Sequence, residues 1–160
     1  MPTDYRKDID RLIEIVIHEG GSDIHLSPGY RPIIRVSGFL IPVGDDALLT
    51  REDTEAYLAA LTTKENFAVF QQKREIDFSY VYKGETRFRG NAFVTQGGIG
   101  IALRLIPKRI KNVAELNLPT VLESFAAKQQ GFFLVVGPTG HGKSTTLAAL
   151  IQLINETRAE

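Results

Sequence analysis

The sequence predicts an α/β protein in two parts. The first is an antiparallel sheet with helices against it; the second is a strand, a glycine loop and a helix that open a parallel sheet. Three observations carry this. Residues 76–106 alternate with a period of two through three runs, divided by Lys83-Gly84-Glu85 and Gln96-Gly97-Gly98. Apolar residues Tyr5, Ile9, Leu12, Ile13, Val16 and Ile17 recur at steps of three and four. Finally, Gly137-Pro138-Thr139-Gly140-His141-Gly142-Lys143-Ser144 fits G-x-x-x-x-G-K-[ST] between an apolar run, 131–136, and a helically spaced one, 144–154.

The elements follow in order. The first apolar stripe makes an amphipathic helix that Gly20 is placed to stop. Residues 22–26 alternate as a short strand, Pro28-Gly29 turns the chain, and 33–36 with 39–43 flank Ser37-Gly38 as a hairpin. Thr50 and Thr62 read as helix caps with Asp53 and Glu65 three positions on, which places helices over 51–61 and 63–72. Strands are expected at 76–82, 86–95 and 99–106, with Ile76, Phe78, Tyr80 and Tyr82 on one face. Core packing explains those aromatics better than base stacking, because Asp77 and Ser79 alternate with them. The expected domains are 1–106 and 120–160, joined by a linker over 107–119 that prolines bracket and Lys108, Arg109 and Lys111 make basic. A helix over 120–130 belongs with the second domain.

Composition excludes several classes. The chain of 160 residues is 43% hydrophobic and 24% charged with zero formal net charge, which fits a globular protein and gives no reason to expect nucleic acid as partner. With no cysteine, disulfides, thiolate metal sites and cysteine catalysis are out. His18, His25 and His141 lack metal-cluster spacing. No apolar run reaches a membrane span and the first residues are too polar for a signal peptide, so the expected location is cytoplasmic.

The glycine loop carries the chemistry. Glycines let successive backbone N–H groups point inward at phosphates, and the N-terminus of the following helix favours negative charge. Lys143 would add a point charge on the β- and γ-phosphates, Ser144 a hydroxyl to Mg²⁺, and Thr145 a contact to the α-phosphate. Residues 137–145 are thus the candidate nucleotide-binding set, Gly137, Pro138, Thr139, Gly140, His141, Gly142, Lys143, Ser144 and Thr145, for a nucleoside triphosphate with Mg²⁺. Only residues 145–160 follow Ser144, enough for one helix, so the expectation is a chain cut inside its second domain.

Alternation puts Arg87, Arg89 and Asn91 on one strand face, opposite Phe88, Ala92 and Val94, and turns Arg104 away from Ile99, Ile101, Leu103 and Leu105 on the next strand. One sheet face can therefore present three guanidinium groups, whose planar forks suit phosphate. The same pattern also describes the solvated face of a half-exposed sheet, and spacing alone leaves both readings open. Elsewhere, His25 is expected to bond locally beside the Pro28 turn, His18 to be solvated, and Lys108, Arg109 and Lys111 to be solvated.

Ser22-Asp23-Ile24-His25-Leu26-Ser27-Pro28, Arg87-Phe88-Arg89-Gly90-Asn91-Ala92-Phe93, Arg104-Leu105-Ile106-Pro107 and the loop with Thr145-Thr146-Leu147-Ala148-Ala149 occur together and in order. That series resembles the secretion ATPases of type II secretion and type IV pili, most closely their pilus-retraction branch, over essentially the whole chain. The resemblance implies a PAS-like α+β N-terminal domain followed by the truncated start of a RecA-like phosphate-loop domain. It implies a homo-hexameric motor that hydrolyses ATP with Mg²⁺ to retract pili, cytoplasmic but peripheral to the inner membrane. Partners would be an inner-membrane platform protein and a sister motor ATPase. It assigns Arg87, Arg89 and Arg104 to the nucleotide phosphates, beside Lys143. His141 stands where the family commonly has serine, at a free position of the loop. The alternative is a non-catalytic nucleotide-binding subunit, or cap, of such a ring. By itself the 160-residue chain is expected to turn over little ATP.

Overall fold

Asp4 accepts from the Lys7 amide at 3.3 Å and starts α1 (Tyr5–His18), whose buried stripe is Ile9, Leu12, Ile13 and Val16. Ile17, expected in that stripe, is exposed, because it extends the apolar arc beyond the width that the sheet covers. The computed structural model describes residues 4–44, 47–138 and 141–158, and these fall into two compact units that divide between Lys108 and Arg109.

The first unit follows α1 with β1 (Asp23–Leu26), β2 (Ile33–Val36), β3 (Phe39–Pro42), α2 (Arg51–Leu61), α3 (Lys64–Lys73), β4 (Glu75–Tyr82), β5 (Thr86–Thr95) and β6 (Gly98–Ile106). Thr50 and Asp53 form a full capping box on α2: the Asp53 amide donates to Thr50 Oγ1 at 3.1 Å and the Thr50 amide to Asp53 Oδ2 at 2.7 Å. The cap of α3 is one residue later than expected. Thr63 accepts from the Asn66 amide at 3.2 Å, whereas Thr62 closes α2 by donating its hydroxyl to the Leu58 carbonyl at 2.7 Å.

All six strands join one antiparallel sheet in the order β3-β2-β1-β6-β5-β4. The link that unites the N-terminal hairpin with the later meander is β1 on β6, which sets Asp23 opposite Arg104 and Ile24 opposite Leu103. α1 and α2 pack together, α1 on β1 and α2 on β6, so the core lies between these helices and one face of the sheet. Ile24, Leu26, Phe88, Ala92, Ile101 and Leu103 fill it from the sheet side. Gly90 lies under the Phe78 ring of the neighbouring strand; a Cβ there would meet that ring at 2.3 Å. The opposite face of the sheet carries Asp23, His25, Asp77, Arg89, Asn91 and Arg104.

The second unit contains α4 (Val121–Ala126) and α5 (Lys143–Thr157) around a small core of Val113, Ala126, Ala149 and Leu150, with Leu116 and Leu118 packed against it. Residues 109–119 are therefore part of this unit and not a free linker. Val113 and Leu116 are three apart in a helical turn-like segment whose Leu116 amide reaches the Asn112 carbonyl at 3.1 Å. α4 is shorter than expected because Arg158 Nη2 caps its end on the Ala126 and Lys128 carbonyls, at 2.8 and 2.6 Å. Residues 131–136, expected as a strand, make no ladder among the described residues. A strand is defined by its neighbours, and no described segment of this unit offers them.

Candidate functional site

Local geometry at the glycine loop follows from its residues. Gly142 takes φ +79°, the left-handed region that glycine adopts without cost, and serves as the N-cap of α5. The first helical bond comes from the Thr146 amide to the Gly142 carbonyl, at 2.9 Å. The amides of Lys143, Ser144 and Thr145 therefore belong to the unpaired first turn, and no side chain caps them. Lys143 Nζ donates to the Pro138 carbonyl at 2.6 Å, which holds the ammonium across the loop. The Ser144 and Thr145 side chains are exposed. His141 is exposed as well, in keeping with a free loop position. Gly137 and Pro138 are described, while Thr139 and Gly140 lie outside the described residues. Amides, an ammonium and a free hydroxyl at a helix N-terminus are the donor set that a polyphosphate with a bound divalent cation requires.

On the first unit the sheet brings two of the three candidate arginines together. Arg89 and Arg104 stand directly opposite each other on β5 and β6. Together with Asp23, His25, Asp77, Asn91 and Ala102 they line one shallow depression. Arg87 shares the face but lines a separate groove with Glu85, Ile106 and Lys108. Two facing guanidinium groups repel, and each has an acid beside it. Arg89 Nη2 is 3.6 Å from Asp77 Oδ1, with both side chains largely exposed. Arg104 Nε donates to Asp23 Oδ1 at 2.8 Å, and Asp23 is only 5% exposed.

Asp23 is the residue that sequence reasoning missed. Its second oxygen accepts the Ser22 hydroxyl at 2.7 Å and lies 3.4 Å from Arg35 Nε on β2. Burial opposes its charge, but the Ser22 hydroxyl and the Arg104 guanidinium outweigh burial and hold the carboxyl below the ordinary aspartate range. The available signal was its parity on β1; what lacked a signal was that β1 would lie against β6. His25 is two residues on and faces the same depression. Burial pushes its imidazole below the usual histidine value, helped by Arg35 and Arg104 and opposed by Asp23. Its Nε2 is buried with no hydrogen-bond partner, so the expected bond to the Pro28 turn is not made through that atom. Lys108 and Arg109 are largely exposed to solvent, as expected, and also pair at the surface with Glu85 at 3.2 Å and Glu115 at 2.6 Å.

A glycine loop opening a helix, with an arginine-bearing antiparallel sheet before it, defines a class that comparison with known proteins makes specific. The model of the type II/IV secretion system protein family matches residues 4–160, and the chain belongs to that family. It is 36% identical over 151 residues to the type IV pilus retraction ATPase PilT of Pseudomonas aeruginosa, covering 94% of this chain and 44% of that protein. It is 37% identical over 127 residues to a twitching motility protein of Neisseria gonorrhoeae, covering 79% of this chain and 34% of that one. A crystal structure of the pilus retraction motor PilT with bound ADP superposes with a TM-score of 0.75 at 36% identity, over 92% of this chain and 43% of that one. The chain thus spans less than half the length of these relatives.

Proposed function

We infer that this chain is the N-terminal portion of a hexameric motor ATPase that hydrolyses ATP to power type IV pilus retraction. Its first unit is the PAS-like domain and its second the start of a RecA-like phosphate-loop domain. The observation that carries the reading is the uncapped first turn of α5, with Lys143 held across the loop, in a chain 36% identical to PilT over 94% of its length. A nucleoside triphosphate with Mg²⁺ supplies the anhydride that is cleaved. The residues of this chain bind and orient it. Amides 143–145 donate to the phosphate oxygens, Lys143 exchanges the Pro138 carbonyl for phosphate charge, and Ser144 provides a hydroxyl oxygen to the cation. The end-on fork of Arg104, with Arg89 opposite it on the neighbouring strand and Arg87 further along the same sheet face, offsets charge on the phosphates. The motor would act in the cytoplasm against an inner-membrane pilus platform, with a sister motor ATPase.

The test is steady-state ATP hydrolysis by the native gene product, purified from its source, beside its Lys143→Ala variant. The reading predicts hydrolysis that falls at least about 100-fold in the variant. No hydrolysis by the unmodified protein, with nucleotide still bound, would instead support the non-catalytic ring subunit.

A further inference from the structure

We propose that Asp23 is the positioning residue for Arg104, locking the guanidinium by its Nε so that its two terminal nitrogens face outward as a preset phosphate fork. This rests on the reading that Arg104 meets nucleotide phosphate, and adds what makes it able to do so. Three observations support it. The 2.8 Å bond uses Nε, not the terminal nitrogens, so the end-on fork is left for a second anion. The carboxylate is itself fixed: it is 5% exposed, takes the Ser22 hydroxyl at 2.7 Å, and is framed by β2 and β6 through register with Arg35 and Arg104. Arg104 by contrast keeps 73% of its side chain exposed, so a rigid base carries an open tip. Arg89 has no such arrangement. Its partner Asp77 is exposed and meets a terminal nitrogen at 3.6 Å, which engages the fork itself. An arginine held by Nε on a buried anion spends less rotamer freedom on meeting a ligand than a solvated one.

A rival role for Asp23 is a staple: Arg35, Asp23 and Arg104 span three adjacent strands. The two roles separate in the native gene product by a double-mutant cycle on kcat/KM for ATP, with thermal melting of every variant. If Asp23 acts through Arg104, Asp23→Ala loses activity about 10-fold or more, and Asp23→Ala with Arg104→Ala is no worse than Arg104→Ala alone within about threefold. Arg35→Ala removes one side of the staple and leaves the Arg104 bond; it is expected to lower the melting temperature while hydrolysis stays within about twofold. Should Asp23→Ala fail to fold, Asp23→Asn keeps an acceptor without the charge and Ser22→Ala loosens the carboxylate; both are expected to lower activity with less effect on melting. The proposal is overturned if the losses from Asp23 and Arg104 multiply, or if Asp23→Asn and Ser22→Ala hydrolyse ATP normally while Arg104→Ala does not. Normal hydrolysis by Arg104→Ala overturns the reading beneath it as well.

Discussion

The first unit closes its own core, whereas the second leaves its most apolar segment uncovered. In the first, helices α1 and α2 and one sheet face bury Phe88, Leu58, Leu12 and Ile13 completely or nearly so. In the second, Phe132, Leu134 and Val136 are 89%, 67% and 76% exposed, although the run they belong to reads as a fully buried strand. An antiparallel sheet covered on one face can be completed within about a hundred residues; a strand of a parallel sheet needs neighbours on both edges and helices on both faces. The chemistry divides in the same way. The loop before α5 is a local device, built by eight consecutive residues, while the Asp23–Arg104 pair is a non-local one, built by strands about eighty residues apart. The loop is legible in sequence and its charge is on display; the pair becomes visible only once the sheet is assembled.

The largest expected effect is on the loop. Lys143→Ala in the native gene product should lower ATP hydrolysis at least about 100-fold, yet leave the melting of the first unit unchanged, since the Lys143 ammonium bonds within its own loop, to the Pro138 carbonyl. Phe88→Ala should do the reverse. Loss of a fully buried ring costs about 3–5 kcal/mol, read by urea unfolding of the first unit. Leu134→Ala sharpens the comparison further. In this 160-residue chain the exposed side chain should change stability by less than about 0.5 kcal/mol. In a longer protein where 131–136 forms a central strand, the same change should cost about 2–5 kcal/mol. Equal effects in both would break the contrast. The smaller effect comes from the capping box, where Thr50→Ala should cost the first unit about 1 kcal/mol.

The smallest effect is pH dependence from Asp53. The Thr50 amide, then the Tyr5 hydroxyl, hold its carboxyl below the ordinary aspartate value. The folded value is depressed, so this stabilisation is complete above the unfolded aspartate pKa of about 3.9 and fades as pH falls through the lower folded value. Melting temperature against pH should show a shallower acid decline in Asp53→Asn than in the unmodified chain.

Much of this was legible because it is local. Period two placed Arg87 and Arg89 on the face opposite Phe88, and period 3.6 placed Ile9, Leu12, Ile13 and Val16 in the core. What was missed is non-local or ambiguous between neighbours. Nothing in residues 22–26 says that they pair with 101–104, so Asp23 could not be matched to Arg104. Adjacent Thr62 and Thr63 are equally good caps, and the backbone chose the second. The prolines and basic residues of 107–119 disguised Val113, Leu116 and Leu118 as linker, although their short apolar spacing is that of a segment folding onto a core.

The central claim is that the arginine face of the first unit acts on a nucleotide and is not merely solvated. The most direct test is single-turnover ATP hydrolysis by the native gene product carrying Arg104→Ala, measured beside equilibrium nucleotide binding. The account predicts hydrolysis slower by about 100-fold or more, with binding weakened far less, because the loop before α5 still holds the phosphates. Hydrolysis within about twofold of the unmodified protein would contradict it, and would leave Arg104 as the outer half of a structural ion pair.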